Sequence, residues 1–289
     1  MWVSDAWTDY RLSDGADGEK LEVWGDMRYI RPDPQIIWDH KTFPKLWDNA
    51  DGHYHRSPAG GGAWEFCNEA AREERIISYR GLKFIIKPTG FKHMGLFPEQ
   101  AVNWDFMRGL IKDAGREIRV LNLFGYTGAA TVACAGVGAS VCHVDAAKGM
   151  VACAKRNAEI NGLAGKDIRY IVDDAIKFTG REGRRGKKYD AVVMDPPTYG
   201  RGPDGELWKV EDELYGLIRA CMDILSDTPL FFVINSYTGS MSHTTVKNLM
   251  LLTLCKKFGG SVTSDEIGLK FENSDMILPC GSATRWEKS

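Results

Sequence analysis

Acidic side chains follow several apolar runs of this chain. Asp145 ends the run at 139–144, Asp174 comes shortly after the run at 168–172, and Asp195 ends the run at 189–194. The carboxyl ends of parallel strands meet at one sheet edge, so these carboxylates are expected to line a single crevice. There they can accept hydrogen bonds from ribose hydroxyls and from the amine of a base. The spacing predicts a site for a nucleotide-like ligand.

A glycine turn precedes these acids. The apolar run at 120–124 leads into Gly125 and Gly128, where the backbone can approach a ligand closely. The dinucleotide fingerprint Gly-x-Gly-x-x-Gly would need a glycine where Leu123 stands. The incomplete fingerprint favours a ligand that is held without a pyrophosphate. For the glycines alone, a plain strand-to-helix turn is the alternative.

The segment Asp195-Pro196-Pro197-Thr198-Tyr199 predicts a rigid platform at a strand end. Its prolines stop the sheet ladder and fix the backbone, so that polar groups project into the crevice. A planar amine could then donate to Asp195 and to the Pro196 carbonyl, while Tyr199 stacks on its ring. We predict that Asp195, Pro196, Pro197 and Tyr199 form the catalytic platform. A purely structural turn is the alternative.

Alternating helices and strands must position these residues. The sequence predicts helices over 103–114, 127–137, 148–161, 175–181, 213–225 and 244–257. It predicts strands over 120–124, 139–144, 168–172, 189–194 and 230–234, with a closing hairpin over 260–269 and 276–285. This alternation predicts an α/β fold with a Rossmann-like, doubly wound, mostly parallel seven-stranded sheet and an antiparallel C-terminal hairpin.

The first part of the chain has a different pattern. Short strands are predicted over 21–24, 27–31, 35–38, 75–79 and 82–87, with a loop over 39–62. We therefore predict a small, mainly β N-terminal domain at 1–88, which would position substrate, and an α/β domain at 89–289.

Composition narrows the function classes. The 289 residues carry a net charge of −2, so the overall charge gives no direct support for a nucleic-acid partner. Seven scattered cysteines without a Cys-x-x-Cys pair predict reduced thiols and a cytoplasmic location. No signal peptide is expected because Asp5 and Asp9 interrupt the first residues, and no membrane segment is expected. His53 and His55 lack nearby acid or cysteine partners in the sequence, so no metal site is predicted.

Together these motifs resemble the class I S-adenosylmethionine-dependent methyltransferases. More narrowly, they are similar to the bacterial branch of large-subunit ribosomal RNA methyltransferases with an Asp-Pro-Pro fourth motif. The resemblance runs from about residue 91 to the C-terminus, through segments 95–100, 121–128, 144–146, 173–175 and 195–197. It implies S-adenosyl-L-methionine as the cofactor. The cofactor contacts that it implies, together with those that the strand ends predict, are Phe97, Gln100, Asn122, Phe124, Gly125, Tyr126, Thr127, Gly128, Asp145, Ala146, Asp174, Ala175 and Asp195.

The resemblance also implies methyl transfer to a base of RNA, with ribosomal RNA favoured. Members that methylate carbon 5 of cytosine need a cysteine nucleophile, and neither 195–198 nor 234–237 contains one. A base nitrogen is therefore the expected acceptor. Ala101 stands where the family has an arginine. Arg201, Trp208 and Lys209, in a mobile loop predicted at 200–209, are the expected substrate contacts.

A basic cluster at 181–188 is a candidate for phosphate contact or an ordinary solvated face. Three other functions stay open. The chain could methylate a small molecule or a protein side chain, act as an NAD-dependent oxidoreductase, or bind the cofactor without catalysis. The sequence does not predict the oligomeric state.

Overall fold

The computed structural model describes residues 1–57, 61–201, 205, 207–237 and 241–288. The chain divides into two compact units. The β unit contains Trp2–Ala101 and Gly268–Pro279, and the α/β unit contains Met1, Val102–Ile267 and Cys280–Ser289. The domain boundary expected after residue 88 stays a prediction.

The β unit is a small antiparallel-rich structure, as the sequence predicts. Its elements are β1 (Trp2–Val3), β2 (Tyr10–Ala16), β3 (Glu19–Trp24), β4 (Met27–Pro32), α1 (Pro44–Trp47), β5 (Gly52–Arg56), β6 (Gly62–Phe66), β7 (Arg75–Tyr79) and β8 (Leu82–Ile86). Strands β2 to β6 form one sheet in chain order, and β7 pairs with β8.

Two predictions in this unit are wrong. The segment 35–38 is not a strand, because it follows a turn in which the Ile36 amide donates to the Asp33 carbonyl at 3.2 Å. The loop predicted over 39–62 contains α1 and β5, and the latter pairs in parallel with β4.

The α/β unit contains the predicted alternation. Its elements are α2 (Ala101–Asp113), β9 (Arg119–Leu123), α3 (Ala129–Ala135), β10 (Ser140–Asp145), α4 (Lys148–Ile160), β11 (Ile168–Val172), α5 (Ala175–Arg184), β12 (Ala191–Met194), β13 (Tyr199–Arg201), β14 (Leu207–Lys209), α6 (Val210–Ile224), β15 (Phe231–Ser236), α7 (His243–Met250), α8 (Lys256–Phe258), β16 (Ser261–Lys270) and β17 (Ile277–Glu287). A π-helical turn at Leu251–Cys255 joins α7 to α8.

The sheet order among the described strands of this unit is β16-β17-β15-β12-β9-β10-β11. Neighbouring strands from β15 to β11 are parallel, and β17 is antiparallel to β15. The chain passes from β9 outward to β11 and returns to β12 on the other side of β9. This reversal creates a switch point between β9 and β12, and ligands bind beyond the carboxyl ends of strands at such points. The predicted fold class is confirmed.

Central strands of this sheet are buried on both faces. Leu121 and Phe232 are fully buried on one face, where Leu214 of α6 packs into the same core. Val120 and Phe231, which point to the other face, are fully buried as well. The continuous apolar runs in the sequence are typical of such doubly covered parallel strands.

The loop predicted at 200–209 is wrong in its described part, and the movement expected of this segment stays a prediction. Strands β13 and β14 form an antiparallel hairpin in which Gly200 faces Trp208. Residues 202–204 and 206 lie outside the described part of the chain. No helix in that described part combines the length and the apolarity that crossing a membrane requires.

Candidate functional site

The turn after β9 has an unusual backbone. Phe124 and Tyr126 have positive φ angles of 53° and 49°, and Gly128 has a φ of 84° as the residue before α3. A positive φ at a residue with a Cβ costs on the order of 1 kcal/mol. The turn therefore holds two strained residues at the switch point, where such strain is typical of a binding site.

Gly125 is required for space and not for its φ angle. A Cβ at this position would lie 2.4 Å from Cε1 of His143 and 2.5 Å from its Nδ1. His143 stands on the neighbouring strand β10 and is fully buried. The turn can therefore pack directly on the imidazole ring only because residue 125 has no side chain.

A buried polar network holds this imidazole. Asn122 donates from Nδ2 to Oγ1 of Thr131 at 2.9 Å, and the same hydroxyl is 3.0 Å from Nδ1 of His143. Among the described residues, Nε2 of His143 has no hydrogen-bond partner. Burial lowers the pKa of His143 to about 4, so the ring is neutral at physiological pH.

Helix α4 fixes the other end of the turn. A Cβ on Gly128 would lie 2.6 Å from Cβ of Ala154, so the turn and the helix are in close contact. Asn157, one turn further along the helix, donates from Nδ2 to the carbonyl of Thr127 at 2.8 Å. Both contacts hold the turn in one conformation.

Asp145 ends β10 beside this turn. Its Oδ2 accepts from the Tyr126 amide at 2.8 Å, and its Oδ1 accepts from the Ala147 amide at 2.8 Å. Burial raises the pKa of this carboxyl, and the two amide bonds partly offset that effect. Each carboxylate oxygen can accept a second hydrogen bond, so the residue fits the paired hydroxyls of a ribose. Ala146, another predicted cofactor contact, lies between Asp145 and Ala147 in the chain.

Asp173 and Asp174 follow β11 on the far side of β10. Asp174 caps α5, and its Oδ1 accepts from the Lys177 amide at 2.9 Å. Asp173 forms an ion pair with Arg181, and its amide donates to the Asp145 carbonyl at 3.1 Å. This places Asp174 next to the end of β10 and leaves it able to accept further hydrogen bonds. Ala175, the other predicted contact here, is buried at the start of α5.

Asp195 lies on the opposite side of β9. Its amide donates to the Leu123 carbonyl at 3.3 Å, which joins the platform to the strand that leads into the turn. The hydroxyl of Tyr237 donates to Oδ2 of Asp195 at 3.0 Å. Tyr237 follows β15 directly, and the sequence analysis did not predict this role. The rule used for the acids, that strand ends meet at one edge, could have found it.

Trp208 contacts the platform and the turn. Its indole nitrogen donates to the Pro197 carbonyl at 2.6 Å, and its ring lies 5.0 Å from that of Phe124. The side chain is only 6% exposed. Contact of Trp208 with substrate stays a prediction, whereas the structure gives it a bracing position that the sequence did not indicate.

Tyr199 and Lys209 are exposed. The side chain of Tyr199 is 55% exposed, which leaves a ring available for stacking. Lys209 pairs with Tyr199 across the hairpin and is exposed, and Arg201 ends β13. A small cleft lies beside the platform, and the residues that line it are Pro196, Thr198, Val210, Glu211, Ser236, Tyr237 and Met241.

The other predicted residues belong to the β unit. Phe97 precedes a 3₁₀ turn at Pro98–Gln100, and Gln100 is buried. Their contacts with the cofactor stay predictions. His53 and His55 stand on β5, not in a loop, and each contacts a glutamate. The described residues contain no group of three or more potential metal ligands.

The cofactor suits the strand ends of the α/β unit. Asp145 offers a carboxylate that backbone amides already orient, and Asp174 offers a second beyond it. The turn after β9, on the other side of Asp145, presents backbone at a close approach. An adenosyl group has a ribose diol and an exocyclic amine, which are the donors that these carboxylates can accept.

Comparisons with known proteins give the family. Residues 51–215 match the model of the S-adenosylmethionine-dependent methyltransferases. A solved structure described as a SAM-dependent methyltransferase from Agrobacterium tumefaciens is 38% identical, with a TM-score of 0.94 over 100% of this chain and 93% of the other. A Streptococcus mutans structure is 21% identical, with a TM-score of 0.73 over 98% of this chain and 76% of the other, and this likeness concerns the fold alone.

Curated relatives are longer than this chain. Ribosomal RNA large subunit methyltransferase K/L of Shewanella sp. (strain W3-18-1) is 33% identical over 191 residues, which are 63% of this chain and 26% of the relative. The protein of the same name from Shewanella baltica (strain OS155) is 34% identical over 157 residues, which are 54% of this chain and 21% of the relative. The chain spans about a quarter of these relatives. The family model, the fold and the strand-end acids agree, and the chain belongs to the S-adenosylmethionine-dependent methyltransferases.

Proposed function

We propose that this protein transfers a methyl group from S-adenosylmethionine to a base nitrogen in RNA, with ribosomal RNA favoured, in the cytoplasm. The observation that carries the proposal is the platform after β12. There a carboxylate held by a tyrosine hydroxyl lies four residues from an exposed aromatic ring. Such a pair can hold the edge and the face of one base.

The cofactor would contact the turn after β9 and the acids at the carboxyl ends of β10 and β11. Asp145 would accept the ribose hydroxyls, and Asp174 would accept the adenine amine. Backbone of the turn would face the rest of the cofactor, with the residues Asn122, Phe124, Gly125, Tyr126, Thr127, Gly128, Ala146 and Ala175 around it. Phe97, Gln100 and Asp195 complete the proposed contacts. When bound, S-adenosylmethionine supplies a sulfonium-activated methyl group.

The chain itself would contribute alignment. Asp195 would accept an N–H of the acceptor base, and the Pro196 carbonyl would accept another, which localises the nitrogen lone pair. Tyr199 would fix the plane of the base by stacking. Tyr237 donates to Asp195 and would hold this carboxylate in the orientation that meets the base. Orientation of this kind can supply much of the rate enhancement when the methyl group is already activated.

Two further observations support an RNA substrate. The curated relatives that match part of this chain are named ribosomal RNA large subunit methyltransferases. In this chain Lys209 is exposed on the hairpin that follows the platform, where it and Arg201 could contact phosphates. We propose substrate contact for Arg201, Trp208 and Lys209.

Transfer of a labelled methyl group tests this proposal. Ribosomal RNA from a strain that lacks the protein is incubated with the enzyme and methyl-labelled S-adenosylmethionine. We expect label in a base of this RNA, none with Asp195→Ala, and much less when the RNA comes from the parent strain. Label in protein or in small molecules, with none in RNA, would contradict the RNA assignment.

A further inference from the structure

The amino edge of the parallel sheet has a pocket of its own. It lies where β9, β10, β11 and the segment before β12 begin, whereas the proposed catalytic site lies where these strands end. The residues that line it are Arg119, Ser140, Val141, Cys142, Asp167, Arg169, Lys187, Lys188 and Tyr189. Its volume is about 190 Å³. One water molecule needs about 10–15 Å³ of such a volume, so the pocket has room for a group of several heavy atoms.

The walls of this pocket are cationic and its floor is neutral. Arg119, Arg169, Lys187 and Lys188 are exposed around it. Burial raises the pKa of the Cys142 thiol to about 11 and raises the pKa of Tyr189, so neither group ionises at physiological pH.

Buried carboxylates hold the arginines from behind. Glu182, whose side chain is fully buried, lies 3.2 Å from Arg169, and Asp190, whose side chain is 4% exposed, lies 3.4 Å from Nε of Arg119. These acids face the protein interior, so an approaching anion meets the cations first. A pocket acid, Asp167, is exposed at the rim.

The lysines are placed in different ways. Nζ of Lys188 donates to the Asp223 carbonyl at 2.8 Å, a contact that orients the ammonium and leaves its charge in place. Lys187 follows a turn in which its amide donates to the Glu182 carbonyl at 3.0 Å. Arg181 and Arg185, from the same basic cluster, pair instead with Asp173 and Glu182. The sequence cluster is therefore divided between ion pairs and the pocket.

We infer that this pocket, here called the amino-edge pocket, binds backbone phosphates of the RNA substrate at a second place on the enzyme. The inference rests on the proposed RNA function. A strand of five residues spans roughly 16 Å, so one RNA segment can contact both edges of the sheet. Phosphate contacts position an RNA without reading its sequence, and here they would fix the register of the base presented at the platform.

Paired lysine variants test the inference. Lys187→Ala with Lys188→Ala removes charge at the pocket, and Lys256→Ala with Lys257→Ala removes equal charge on an exposed helix elsewhere in the unit. Binding of a fluorescently labelled ribosomal RNA fragment is measured by anisotropy across a salt series. The logarithm of the binding constant falls with the logarithm of the salt concentration, and loss of two phosphate contacts makes this negative slope shallower by about 1.4. We expect this change, and an affinity loss of about tenfold or more, for the pocket pair alone.

Separate outcomes distinguish the two proposals. If the wild-type protein methylates RNA but the pocket pair and the control pair have equal slopes, the amino-edge pocket does not bind RNA and the proposed function stands. If the wild-type protein binds S-adenosylhomocysteine in calorimetry but neither binds nor methylates RNA, the proposed function fails. If inorganic phosphate stabilises the wild-type protein thermally and the pocket pair loses this effect without a change in RNA affinity, the pocket serves a free phosphate compound and the inference is overturned.

Discussion

The glycine turn and the proline platform end two paired strands, but they are held rigid by different means. The turn depends on close packing, because Gly125 and Gly128 leave room for His143 and Ala154, in addition to the hydrogen bond from Asn157. The platform is fixed by hydrogen bonds from side chains, because Tyr237 holds Asp195 and Trp208 holds the Pro197 carbonyl. A region fixed by packing tolerates no added atoms, whereas a region fixed by hydrogen bonds tolerates no loss of a donor.

The platform should carry the largest functional effect. We expect Asp195→Ala to lower kcat by about a thousandfold, since it removes the group that orients the acceptor. Cofactor affinity should change much less than kcat although Asp195 is a proposed cofactor contact, because the acids beyond β10 and β11 stay in place. Single-turnover methyl transfer and calorimetry with S-adenosylhomocysteine measure the two quantities. A kcat close to that of the wild type would refute the assignment.

The turn should respond to an added methyl group. We expect Gly125→Ala to destabilise the protein by about 1–3 kcal/mol, because the new Cβ overlaps the His143 ring. Cofactor affinity should fall about tenfold as the turn shifts.

A double-mutant cycle with His143→Ala separates this overlap from other effects. If the overlap is the cause, the double variant is less destabilised in urea unfolding than the sum of the single variants. Additive losses would show that the ring is not what excludes a side chain at residue 125.

The packed region should also depend on pH. His143 has a pKa of about 4 when folded and a usual value of 6.5, so between these values the unfolded state binds more protons. The stabilising contribution is complete above pH 6.5 and is lost as the pH falls toward 4. Between pH 7 and pH 5 we expect the wild-type protein to lose about 2 kcal/mol more than His143→Gln. Equal losses in chemical unfolding would place the imidazole in a solvated environment.

Loss of a donor from the platform should have a smaller effect than loss of Asp195 itself. Tyr237→Phe removes the hydroxyl that donates to Asp195 and keeps the ring. A hydrogen bond to a charged group contributes about 1.5–3 kcal/mol, so kcat should fall by about tenfold or more. The loss should appear in kcat and not in KM, since the hydroxyl positions a group that orients the acceptor. An unchanged kcat would argue against positioning by Tyr237.

Trp208 contacts both the platform and the turn. Of these variants, Trp208→Phe should have the smallest effect. The substitution removes the donor to the Pro197 carbonyl but keeps an aromatic ring beside Phe124. A neutral hydrogen bond contributes about 0.5–1.5 kcal/mol, which corresponds to a loss of about two- to thirteenfold in kcat. Leu207→Ala, an exposed substitution on the same strand, is the matched control. A loss confined to cofactor affinity would assign Trp208 to the turn instead.

The sequence predicts the parts of this site that depend on strand ends. Asp145, Asp174 and Asp195 follow apolar runs, and the rule that parallel strands end at one edge brings them together. It does not predict why Gly125 is a glycine, because the reason is a histidine on the neighbouring strand. The sequence also does not decide the role of Trp208. An indole in a short segment can pack in the core or contact the substrate, and only the hairpin partner of the segment distinguishes these roles. The β unit is harder to predict from the sequence, because its strand β5 pairs in parallel with a strand more than twenty residues earlier.

The close contact between Gly128 and Ala154 limits the substitutions that this protein tolerates at both positions. A Cβ at residue 128 would lie 2.6 Å from Cβ and 2.9 Å from Cα of Ala154, and the φ of 84° independently favours glycine. Any larger side chain at 154 would push helix α4 away from the turn and take Asn157 with it. Designed libraries that diversify α4 should therefore hold position 154 at alanine or glycine, and variation on its solvent face should be the route by which activity can be tuned without loss of folding.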